Sequence, residues 1–107
     1  MNPQAVRVVL STFPDEAKAA EIAHALVTER LVACVNIVPA VRSIYRWQGA
    51  ISDERETLAV MKTTVDRVPA LTQRLRELHP YETPEVIALE VTDGSAAYLA
   101  WVAGSVR

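Results

Sequence analysis

The residues with the most chemistry per position stand in one run, His79-Pro80-Tyr81-Glu82-Thr83-Pro84-Glu85. It offers an imidazole, a phenol and two carboxylates, and each proline biases the residue before it toward extended backbone, which stiffens the segment. Cys34 adds a thiol, and Lys62 adds an ammonium at the end of the apolar run Leu58-Ala59-Val60-Met61. Imidazole, carboxylate and thiolate together suit copper(II) or zinc among first-row metals, so Cys34, His79 and Glu82 are candidate metal ligands. Lys62 is a candidate for neutralising a bound anion. Plainer readings stand beside these. The prolines can simply end elements, His79 can cap a helix C-terminus, Tyr81 can pack, a free cysteine is commonly a small buried hydrophobe, and a lysine can snorkel to the surface. His24 has no partner at ligand spacing and reads as a helix-surface residue.

Several chemistries find no support. The chain has no GxSxG elbow, no P-loop and no GxGxxG, and Cys34 has no recognisable base in the sequence, so no catalytic residue is assigned and an enzyme is not expected. The net charge is −2 and no stretch is dense in Lys and Arg, which argues against nucleic acid as a partner. The N-terminus lacks the pattern of a secretion signal, and the longest nearly apolar run, Leu31 to Val41, is too short to span a bilayer. A cytoplasmic address without membrane contact is the expectation. Cys34 stands alone, so it should be a reduced thiol.

The elements that must position these groups fit one domain over residues 1–107, half of whose residues are hydrophobic. Ala5 to Thr12 is rich in β-branched residues and lies between Pro3 and Pro14, which predicts a first strand. Apolar positions at helical spacing with acids in the first turn predict a helix over Asp15 to Leu31. Val32 to Trp47 reads as a strand kinked at Pro39, since an internal proline is tolerated only at an edge or a bulge. Gln48 and Gly49 supply a turn into a third strand, Ile51 to Thr63, whose first half is solvated. Asp66 to His79 is a second helix stopped by Pro80, Val86 to Thr92 a fourth strand, and Ser95 caps a short last helix carrying Tyr98 and Trp101. On the second strand, Ser43, Tyr45 and Trp47 alternate onto one side, where packing between subunits is the favoured use.

The order βαββαβ with right-handed crossovers predicts an α+β, ferredoxin-like sandwich with both helices on one face of an antiparallel sheet, plus the extra C-terminal helix. Its other face is then left to be covered. A strand from Val32 to Trp47 spans on the order of 50 Å, against roughly 35 Å for a compact domain of this length, so the β2–β3 hairpin must protrude, bend or both. An exposed two-stranded arm is a pairing hazard that closed homo-oligomers resolve, so an oligomer is expected.

Taken together, Ala33-Cys34-Val35-Asn36-Ile37, Ser43-Ile44-Tyr45 with Trp47 and Gly49, Lys62-Thr63, His79 to Glu85, and Tyr98 with Trp101 resemble the CutA family, the divalent cation tolerance proteins. The resemblance covers nearly the whole chain. It implies a homotrimer in which the long hairpins pair between subunits, and weak binding of copper(II) or another divalent cation. The family's candidate cation positions fall on Cys34 and His79, with Glu82 nearby. CutA trimers also resemble the PII signalling proteins, which opens an alternative: a small anion or metabolite held in a cleft between subunits by Lys62, Tyr81 and Glu82.

Overall fold

The computed structural model describes residues 2–107. The chain runs β1 (Val6–Phe13), α1 (Glu16–Thr28), β2 (Cys34–Trp47), β3 (Ala50–Thr64), a single 3-10 turn (Val65–Arg67), α2 (Val68–Leu78), β4 (Ile87–Glu90) and α3 (Ala96–Ser105). The sheet order is β2-β3-β1-β4 and every neighbouring pair is antiparallel. Each of α1 and α2 therefore links strands that flank a third, which is the ferredoxin-like arrangement.

Local chemistry sets the ends of the elements. Asp15 starts α1 by accepting a 2.7 Å hydrogen bond from the Lys18 backbone N–H. The helix stops at Thr28, three residues before the predicted Leu31, because the chain closes it with a paired C-terminal motif: Leu31 N–H donates to the Leu26 carbonyl and Arg30 N–H to that of Val27. Arg30 holds the left-handed position at φ 61° that glycine usually fills. The second helix begins at Val68 with a proline in its first turn, where the missing N–H costs nothing, and ends before Pro80. Strand β4 is shorter than predicted, four residues along the free edge of β1.

One face of the sheet carries the core. Val9, Phe13, Ala59 and Met61 meet Ala19, Ile22 and Leu26 of α1 and Leu71 and Leu75 of α2, all buried. Each such aliphatic side chain stabilises the fold by about 1.5–3 kcal/mol relative to exposure. The strand register places Val6, Val8 and Leu10 on the opposite face, with Leu58, Val60 and Lys62 of β3, Cys34 and Val38 of β2, and Ile87 and Leu89 of β4. Helix α3 covers one end of it, where Val6, Thr64 and Val102 are buried. Elsewhere Val38, Ile87 and Leu89 stay exposed and Leu10, Leu58 and Val60 half-buried.

The hairpin both protrudes and bends. Strand β1 supports β3 only from Thr57 to Thr64, so residues 50–56 pair with β2 alone and form a free arm. The molecule accordingly measures 43 Å along one axis against 26 and 22 Å along the others. Gln48 and Gly49, at φ 50° and 80°, make the tight turn whose twist matches the strands it joins. Pro39 lies on edge strand β2, and the register slips there by one residue: Val38 faces Leu58, but Val41 faces Glu56. Ala40 takes φ 61° to make this bulge.

Candidate functional site

The bulge decides which residues the arm presents. Beyond it, Val41 opposes Glu56, Ser43 opposes Glu54 and Tyr45 opposes Ser52, so Ser43, Tyr45 and Trp47 share a face with Glu54 and Glu56. In the unbroken register of Cys34 to Val38, the positions opposite Glu54 and Ser52 would fall to Arg42 and Ile44. The arm's arginines instead occupy the opposite face, where Arg42 makes a paired bond to Asp53 at 2.7 and 2.8 Å.

Between the arm and the loop after α2 lies a cleft of about 620 Å³. The arm contributes Ser43, Tyr45, Trp47, Glu54 and Glu56; the loop contributes Tyr81, Glu82, Thr83 and Glu85; Thr12 closes the floor. Four carboxylates and no basic side chain line it, a charge that attracts cations and repels anions. Glu56 is 7% exposed, and its Oε2 accepts a 2.6 Å hydrogen bond from the Tyr81 hydroxyl. Burial, and then that bond to a carboxylate, push the Tyr81 phenol well above its usual range. At the arm's outer part the Tyr45 hydroxyl donates to Glu54 Oε2 at 3.3 Å.

His79 positions the loop. Its ring is buried, stacked on Phe13 at 4.6 Å between centroids. Tyr81 N–H donates to Nδ1 at 3.1 Å, so the ring proton sits on Nε2 and donates to the Thr12 carbonyl at 2.7 Å. Burial holds its pKa below 6.5, opposed in part by the Thr12 bond. Both ring nitrogens are thereby engaged within the chain, and a metal at Nδ1 would displace the Tyr81 backbone bond that aims the phenol at Glu56.

The other predicted site residues lie elsewhere. Cys34 sits beneath α3, its Sγ 3.7 Å from the Tyr98 hydroxyl, and pairs in register with Lys62, whose ammonium bonds the Asn36 side chain. Thr12, the partner of His79, faces Leu58, four positions along β3 from Lys62, which puts Cys34 and His79 roughly 15 Å apart. The structure thus unites Tyr81 and Glu82 in the cleft, places His79 behind them, and sets Cys34 and Lys62 apart. Among the described residues, no three His, Cys, Asp or Glu side chains converge as a metal site. Sequence reasoning missed Glu54 and Glu56; their alternation along the solvated half of β3 was the available signal.

Comparison with known proteins places these features in a wider group. The model of the CutA1 divalent ion tolerance protein family matches residues 7–105. The Divalent-cation tolerance protein CutA of Thermus thermophilus is 52% identical over 95 residues, 89% of this chain and 92% of the relative. Human Protein CutA is 49% identical over 100 residues, 94% of this chain and 56% of the relative. Among solved structures, the divalent cation tolerance protein of Thermus thermophilus superposes with a TM-score of 0.92 at 48% identity, covering 95% of this chain and 99% of that one. A structure described as the periplasmic divalent cation tolerance protein CutA of Archaeoglobus fulgidus gives 0.91 at 28% identity, over 95% and 99% of the two chains. Among the described residues no helix is long and apolar enough to cross a membrane.

Proposed function

The chain belongs to the CutA1 divalent ion tolerance family, and on that premise we propose that it is a homotrimeric, cytoplasmic binding protein for divalent cations, copper(II) first among them, and not an enzyme. The observation that carries this reading is the dispersal of candidate donors over a chain that leaves an apolar sheet face uncovered. Cys34, His79 and Glu82 do not meet within one chain, so a cation site built from them is completed only where chains meet. The arm, unsupported by β1 beyond Thr57, is the element that reaches a neighbouring subunit.

Light scattering and calorimetric titration with copper(II) test both parts. The expected results are a trimer mass and weak binding that drops in Cys34→Ser and His79→Ala. A monomer at micromolar concentration, or binding indifferent to both substitutions, sinks the reading. Cell fractionation tests the address, since the lone thiol of Cys34 suits a reducing compartment while the Archaeoglobus neighbour is described as periplasmic.

A second reading, a PII-like module holding a metabolite between subunits, draws on the volume of the cleft. A thermal-shift screen of metabolites without a hit would count against it.

A further inference from the structure

We propose that the cleft between the arm and the His79–Glu85 loop binds a small organic cation, an amine or guanidinium carried on an apolar body. The inference rests on the cleft being a ligand site, and stands independently of copper binding at Cys34 or His79.

Glu56 is the first observation. The residue is more than nine-tenths buried, yet among the described residues its side chain's only hydrogen bond is the one Tyr81 donates to Oε2, and none of the ion pairs there includes it. Oε1 accepts no such bond there and is not among the fully buried atoms left without a partner, so it opens on the cleft that Glu56 lines and is free to accept from whatever enters. The arm supplies no cation there itself, because the bulge turns Arg42 and Arg46 to the opposite face, where Arg55 lies by alternation with Glu54 and Glu56.

The second is the shape and character of the walls. Tyr45, Trp47 and Tyr81 bring aromatic surface to the same cleft as the carboxylates of Glu54, Glu82 and Glu85. Aromatic faces beside carboxylates hold an organic cation through its charge and its apolar body at once. At about 620 Å³ the cleft matches the volumes of small-molecule sites and is far larger than a bare ion needs. A bare metal also requires convergent donors, and no three of these side chains converge.

Three probes of one shape and different charge test this on the full-length, assembled protein: 2-phenylethylamine, 2-phenylethanol and phenylacetate, titrated by calorimetry and followed at the Trp47 indole N–H by NMR. The amine should bind and the other two should not. Glu56→Gln should weaken the amine by roughly tenfold or more, and Trp47→Ala, a change at an exposed position on the arm, by severalfold. If Glu56→Gln fails to fold by circular dichroism, Trp47→Ala decides. Equal binding of the three probes, no amine binding, or amine binding unaffected by the deciding variant overturns the proposal. Copper(II) titrated into the same preparations separates the two readings. Amine binding without copper binding sinks the metal reading alone, and the reverse sinks this one alone.

Discussion

The two faces of the sheet are made of similar residues and end in opposite states. On one, Val9, Phe13, Ala59 and Met61 meet α1 and α2 and vanish from solvent; on the other, α3 covers a single end and Val38, Ile87 and Leu89 remain exposed. Alternating strands that are apolar on both sides demand cover on both sides. The chain supplies one cover and a fraction of the second, and the proposed trimer would supply the rest.

The largest expected effect comes from breaking the closed face. Leu75→Ala, at a position with no exposure, should cost about 2–5 kcal/mol in urea denaturation. Leu89→Ala on the open face should cost less than about 1 kcal/mol if that face is free. Equal losses would sharpen the comparison differently, showing that a second chain buries Leu89 in solution. Next, Tyr81→Phe removes the hydroxyl that satisfies Glu56 beside the open face, for an expected loss of about 1–3 kcal/mol by the same measurement.

The pH profile separates the faces again. His79 stacks on Phe13 of the closed face and burial keeps its folded pKa below 6.5. The unfolded chain therefore binds more protons between the two values, so stability falls as pH falls from about 6.5 toward the folded pKa. His79→Asn should flatten the melting temperature across that window, and an unchanged slope would remove His79 as its source. Smallest, Ala40→Gly relieves a left-handed residue and should raise stability by up to about 1 kcal/mol without changing the mass of the assembly.

The element order, the kink at Pro39 and the Gln48-Gly49 turn were legible because proline, glycine and hydrophobic period report local backbone directly. The early end of α1 was not: Arg30 fills a position usually marked by glycine, and only the bonds of Leu31 and Arg30 to Leu26 and Val27 reveal the stop. For the site, Tyr81 and Glu82 were found because prolines flag their loop. Glu54 and Glu56 were not, because a solvated strand half looks the same whether its carboxylates face water or a cleft. Which side chains of β2 join them on that face depends on a one-residue slip across the hairpin, and a single strand read alone contains no register.

The slip at Ala40 also bears on how this surface can change over generations. Substitutions edit the arm one side chain at a time, but losing a single codon at the bulge would remove the extra residue and join the two halves of β2 in one unbroken register, with Ser43, Tyr45 and Trp47 still opposite their present partners. The recess would keep its acidic and aromatic side chains, while the bend that the bulge puts into the arm would be lost. Related chains that differ in length at this one position are therefore expected to differ in how the arm is bent and to agree in the sign of what it attracts.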